Sequence, residues 1–170
     1  MDHREFYDLV PEACVQMEKS AFLTVEGKSN PMTIGWAYFG CAWGKPIVTV
    51  MVRKSRYTYD LIEKSGTFTV SVPKFGEMAK ELAYCGSHSG RDVNKIAETG
   101  LKMIPARNGG ADAVAGCGEY FECRIVYKQT LDIQQMDAAI RDRFYGENQA
   151  FGNGDPHVLY CGEVLGAYRG

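Results

Sequence analysis

Three segments carry side chains of the right kind to hold a small charged ligand. Asn30-Pro31-Met32-Thr33-Ile34-Gly35-Trp36 combines an amide, a hydroxyl, an aromatic ring and a glycine that lets a ligand approach the backbone. Arg53-Lys54-Ser55-Arg56-Tyr57-Thr58 sits between a β-branched run and a helical pattern, so its cations and hydroxyls meet the N–H groups of a helix start. Ser87-His88-Ser89-Gly90-Arg91-Asp92-Val93-Asn94-Lys95 is a second turn with hydroxyls, a glycine and cations ahead of a short helix. A phosphorylated aromatic ligand would use all three. Each also has an ordinary structural reading, as a turn, a solvated helix cap or core; their co-occurrence is what favours a site.

Several chemistries are missing from the sequence. It has no H-E-x-x-H, no C-x-x-C, no nucleophile elbow and no Walker loop, and its three histidines (3, 88 and 157) are isolated, so no metal site is expected. Gly116-x-Gly118 and Gly152-x-Gly154 lack the third glycine and the helix of a dinucleotide fingerprint.

The elements that must position these residues follow from composition and periodicity. The chain has 170 residues, 45% of them apolar, and 19 Lys plus Arg against 21 Asp plus Glu for a net charge of −2. That is enough chain for one core without staples, and 1–170 reads as a single domain without repeat or linker. The near-neutral balance gives no footprint for nucleic acid, and no run approaches the roughly 20 apolar residues that cross a bilayer. A charged N-terminus without a secretory pattern, together with six scattered cysteines, leads to the expectation of reduced thiols and a cytoplasmic location. Cys85, beside the second turn, is either a redox thiol or a small buried hydrophobe.

Apolar spacing predicts a helix from Arg4 to Met17, broken or kinked at Pro11, then strands over Ala21–Glu26, over Met32–Trp43 with interruptions at Gly35 and Gly40, and over Pro46–Val52 and Thr67–Val72. Short helices are expected over Tyr57–Lys64, Gly76–Cys85, Val93–Thr99 and Met136–Phe144. Leu101–Ile104 is a further strand candidate. Long strands are expected over Glu119–Ile133 and His157–Tyr168, with loops over Ala106–Gly118 and Gly146–Asp155. About six strands without a regular β-α-β repeat predict a mainly β fold, an antiparallel β-barrel with peripheral helices.

Taken in order, N-P-M-T-I-G-W, V-T-V-M-V-R-K-S-R-Y-T-Y-D-L-I, C-G-S-H-S-G-R-D-V-N-K and the closing H-V-L-Y-C-G-E-V resemble the flavin reductase-like family, and within it flavoredoxin-type proteins. The resemblance runs from about Phe22 to Tyr168. It implies an FMN-binding split β-barrel of Greek-key antiparallel strands, usually a homodimer with flavin sites near the subunit interface. By position, Asn30, Met32 and Thr33 would line the isoalloxazine and ribityl chain, with Trp36 nearby. Val50, Met51, Val52, Arg53 and Lys54 would form the strand end beside the flavin. Arg53, Tyr57 and Thr58 would contact the phosphate, as would Ser87, Ser89, Gly90, Arg91 and Lys95. His157 would face the flavin or a nicotinamide as the catalytic residue, donating to a carboxamide or stabilising negative charge on the flavin near neutral pH.

The family implies an FMN-dependent oxidoreductase passing hydride or electrons between NAD(P)H, or a redox partner, and FMN, with a monooxygenase as another possible partner. Two alternatives stand beside it: a flavoredoxin-type electron carrier with tightly held FMN and little direct NAD(P)H activity, and a non-catalytic flavin-binding barrel.

Overall fold

The computed structural model describes residues 3–146 and 155–170. Helix α1 (His3–Met17) leads into strands β1 (Ala21–Val25), β2 (Lys28–Ile34), β3 (Ala37–Ala42) and β4 (Lys45–Arg53). After α2 (Tyr57–Ile62) and β5 (Thr67–Val72) come α3 (Ala79–Ser87), α4 (Lys95–Thr99) and the short pair β6 (Met103–Ile104) and β7 (Ala113–Val114). Two long strands, β8 (Glu119–Thr130) and β9 (His157–Arg169), complete the sheet, with α5 (Ala138–Tyr145) between them.

Seven strands form one sheet in the order β2-β1-β5-β8-β9-β4-β3, and every pairing is antiparallel. A flat sheet of this size would be about 29 Å across. Yet its two edge strands, β2 and β3, are joined through Gly35 and Trp36 alone, a link that reaches only about 11 Å. The sheet must therefore curl until its edges converge at that corner, which makes it a split barrel. The barrel interior holds Leu23, Val48, Val50, Val52, Phe68, Val70, Phe121 and Tyr160, all essentially inaccessible.

Strand β1 is buried on both faces. Leu23 and Val25 join the barrel core, whereas Phe22 points outward into a second apolar cluster with Leu82, Cys85, Leu101, Val114 and Tyr120. That outer cluster seats α3 against the barrel and so brings the turn after α3 beside β2.

Several expectations need correction. Helix α1 is not broken at Pro11, because Phe6, Leu9 and Ala13 bury one face on either side of it and the proline lies on the exposed side. Of the two interruptions expected in Met32–Trp43, the one at Gly35 is the barrel corner at Gly35-Trp36, whereas Gly40 lies within β3 without breaking it, and the first of the two strands begins earlier, at Lys28. The region 106–118 contains β7, which pairs with β6. Of the loop expected over 146–155, residues 147–154 lie outside the described residues. No helix among the described residues is long and apolar enough to cross a membrane.

Candidate functional site

Strand alternation decides which side chains of the β4 end reach a ligand. Val50 and Val52 turn into the core and are fully buried, whereas Met51 and Arg53, one residue out of phase, line a cleft outside the barrel. Val50 and Val52 could therefore take part in the expected site only through their backbone, not their side chains. The β4–β9 register sets Arg53 opposite His157 and Met51 opposite Leu159. Met32, Thr33 and Trp36, around the barrel corner, and Arg56 and Phe144 complete this cleft, whose volume is about 350 Å³.

Its chemistry is an aromatic and thioether wall beside a cationic floor. Trp36 packs edge-on against Phe144 at 5.1 Å and lies 5.0 Å from the His157 ring. Arg53 donates from Nη1 to the Asp155 carbonyl at 2.9 Å and from Nη2 to the Phe144 carbonyl at 2.8 Å, and its guanidinium lies over the Tyr145 ring. Arg53 thus ties the ends of the segment between α5 and β9 and belongs to the larger cleft, not to the smaller pocket where a phosphate contact was expected.

Burial, reinforced by Arg53 and Arg56, lowers the pKa of His157 to about 4 against the opposing effect of Asp155. The imidazole is therefore neutral at physiological pH. It can donate or accept a hydrogen bond, and a role toward a carboxamide or a negatively charged ring would be that of a neutral donor. Its Nδ1 lies 2.8 Å from the Tyr145 hydroxyl.

A smaller pocket of about 100 Å³ adjoins the cleft and shares Met32 and Arg56 with it. Here the three sequence segments meet: Asn30 from β2, Ser55 and Arg56 just ahead of α2 with Tyr57 and Thr58 at its start, and Ser89, Gly90 and Arg91 from the turn after α3 with Lys95 at the start of α4. Asn30 donates from Nδ2 to the Thr58 hydroxyl at 3.2 Å, but its buried Oδ1 has no hydrogen-bond partner. A Cβ on Gly90 would lie 1.9 Å from that oxygen, so only glycine lets the turn close so tightly on β2. Lys95 is buried and donates to the Pro31 and Cys85 carbonyls at 3.0 and 2.9 Å. Arg91 spans the Ser55 carbonyl at 3.1 Å and the Asp60 carboxylate at 2.6 Å and lies over the Tyr57 ring.

Other assignments need adjusting. Lys54 is exposed and lines neither pocket. The Ser87 hydroxyl donates back to the Ala83 carbonyl at 2.8 Å and is likewise outside both linings. Thr33 keeps its place in the cleft but donates its hydroxyl to the Leu82 carbonyl at 2.6 Å, so it pins α3 to β2. Cys85 is buried and burial raises its thiol pKa, which fits a small hydrophobe rather than a redox thiol. Among the lining residues that were not assigned a role from sequence, Arg56 and Phe144 stand out. Arg56 stood inside a chosen segment as a third cation; Phe144 had no signal, because only folding brings α5 to the cleft.

An aromatic-walled cleft joined to a cation-ringed pocket, with an unsatisfied buried acceptor between β2 and the Gly90 turn, fits a flat ring carrying a hydroxylated phosphate tail. Asn30 Oδ1 suits a hydroxyl donor, and Arg56, Arg91 and Lys95 suit the phosphate. The family model described as "Flavin reductase like domain" matches residues 19–169. The chain belongs to that family. An uncharacterized protein of Archaeoglobus fulgidus is 28% identical over 147 residues, which are 82% of this chain and 78% of that protein. The crystal structure of flavoredoxin from Methanosarcina acetivorans is 28% identical with a TM-score of 0.64, over 88% of this chain and 67% of that one. An FMN-binding protein from Thermus thermophilus, solved with bound p-hydroxybenzaldehyde, is 21% identical with a TM-score of 0.65, over 89% of this chain and 71% of that one, a likeness of fold. The flavin reductase-like fold is thus the one reached from strand order and barrel closure.

Proposed function

We propose that this flavin reductase-like protein binds FMN across the two adjoining pockets and serves as an FMN-dependent oxidoreductase, with NAD(P)H as the electron donor. The observation that carries this reading is the division of chemistry between two joined spaces. The larger cleft has Trp36, Met32 and Met51 for a ring, and the smaller pocket has Arg56, Arg91 and Lys95 for a phosphate. Bound FMN supplies the hydride and single-electron chemistry. The chain's task is to hold the ring, neutralise the phosphate and keep water off one face. Charged hydrogen bonds at the phosphate contribute on the order of 1.5–3 kcal/mol each.

Homodimer formation belongs to the same proposal. Tyr38 and Trp43 are 62% and 66% exposed, and an apolar chamber of about 590 Å³ lies behind Trp36 and Phe144. A second copy covering these surfaces would bring its own residues to the rim of the ring cleft.

The 28% identity to flavoredoxin favours a second reading, an electron carrier with tightly held FMN whose redox partner is another protein. One experiment separates the two. FMN-loaded protein is mixed with NADH or NADPH without oxygen and its visible spectrum is followed. Bleaching by either nucleotide supports the oxidoreductase; a spectrum that persists until dithionite is added supports the carrier.

A further inference from the structure

We propose that Tyr145 is a positioning residue that holds His157 in its Nε2–H form, so that the imidazole meets a ligand in the cleft as a hydrogen-bond donor. The inference rests on the cofactor reading above and deepens it by assigning the polarity of the group that faces the substrate.

The geometry begins with the 2.8 Å contact between the Tyr145 hydroxyl and His157 Nδ1. Two arrangements satisfy it: the phenol donates to Nδ1, or Nδ1–H donates to the phenol oxygen. The phenol is the more acidic of the two donors and the sp² ring nitrogen the more basic of the two acceptors, so donation by Tyr145 is favoured. Burial raises the Tyr145 pKa and keeps the phenol protonated, while the imidazole stays neutral. With Nδ1 accepting, the single imidazole proton resides on Nε2. His157 lines the ring-side cleft and Tyr145 does not, so Nε2 is the ring nitrogen left for a ligand.

The surroundings hold this arrangement. Tyr145 is 5% exposed at the C-terminal end of α5, and the two rings meet edge-on at 5.7 Å. Arg53 packs its guanidinium over the Tyr145 ring and donates to the carbonyls of Phe144 and Asp155, on either side of the pair in sequence. The charged groups acting on His157 are Arg53 from β4, Arg56 from the turn that follows and Asp155 just ahead of β9. The two arginines disfavour a second proton on the ring. A site built this way suits a substrate that offers a carbonyl or carboxamide oxygen to His157 and disfavours one that must donate a proton to it.

The test uses Tyr145→Phe, which removes the hydroxyl and keeps the ring under Arg53. Long-range ¹H–¹⁵N spectra of the unliganded protein report the tautomer directly, and His157→Gln assigns its signals among the three histidines. The expected result is an Nε2–H imidazole in the parent protein and a mixture of tautomers in Tyr145→Phe. An Nδ1–H imidazole in the parent, or an identical tautomer in the variant, overturns the proposal. In flavin-loaded protein the variant should keep its flavin affinity and lose roughly threefold to tenfold in the rate of reduction by its donor. An unchanged rate overturns the functional half. Failure of both proteins to bind flavin would defeat the cofactor reading alone, because the tautomer is measured without flavin.

Discussion

Arg53 at the end of β4 donates to the carbonyl of Phe144 at 2.8 Å, across 91 positions of sequence, and so fixes the end of α5 against the strand that builds the cleft. A second bond from the same guanidinium reaches Asp155. Because Arg53 is only 8% exposed, its removal leaves two carbonyls without a charged donor. Arg53→Ala is expected to cost about 2–4 kcal/mol of unfolding free energy. Arg53→Lys should recover only part of this, since an ammonium cannot span both carbonyls as the planar fork does. Urea denaturation of the three proteins checks both statements.

Gly90 gives the sharpest steric prediction. With Asn30 Oδ1 at 1.9 Å from a built Cβ and the Tyr57 ring at 3.1 Å, Gly90→Ala must displace either the Asn30 amide or the turn itself. Either shift disturbs the small pocket that both line. Flavin affinity, read from quenching of FMN fluorescence, should fall about tenfold or more, an effect of roughly 1.4 kcal/mol or above. Gly27→Ala serves as the control, since its Cβ meets nothing within 4 Å although its positive φ strains it. The control should lose stability without losing flavin affinity.

Arg56 and Lys54 are two positions apart, yet their roles separate. Arg56 lines both pockets, whereas Lys54 is exposed and lines neither. Arg56→Ala should weaken FMN binding by about tenfold and riboflavin binding much less, because riboflavin has no phosphate. Lys54→Ala should leave both nearly unchanged. Parallel titrations with the two ligands measure the difference.

Buried Glu119 and half-buried His157 give opposite pH dependences. Burial first, then the neighbouring Glu12, raises Glu119 from 4.5 to about 7. The folded state therefore binds more protons than the unfolded one in that window, and stability falls as pH rises from about 4.5 to about 7. His157, lowered from 6.5 to about 4, binds fewer protons when folded, so its contribution is lost as pH falls through that range. The slopes offset each other in the parent protein. Glu119→Gln should expose the His157 dependence as a loss of stability on acidification, and His157→Gln should expose the reverse. Urea midpoints at about pH 5 and about pH 7 decide it.

Much of the architecture was legible because its signals are local. The alternation of Thr67–Val72 gave strand β5 its bounds, and the helix expected to end at Thr99 does so, stopped by Gly100 at φ 70. The three candidate segments were chosen by residue type, and Asn30, Thr58, Gly90 and Lys95 from them meet in one pocket. What escaped was set by tertiary contact. The break at Gly35 was marked by its glycine, but that the chain turns a barrel corner there, whereas Gly40 stays inside β3, is decided only by sheet closure. The direction of Val50 and Val52 follows from the phase of β4 against the core, which a fully apolar strand does not reveal. Arg53 looked like a phosphate ligand because its partners, two backbone carbonyls, have no signature in sequence.

The central claim is that the joined pockets are one flavin site, and an equilibrium titration of the purified protein with FMN, followed by fluorescence quenching and visible absorbance, tests it most directly. The account predicts saturation at one FMN per chain, with riboflavin binding at the same place but more weakly. Absence of saturable quenching, or binding that Gly90→Ala and Arg56→Ala leave unaltered, would contradict it.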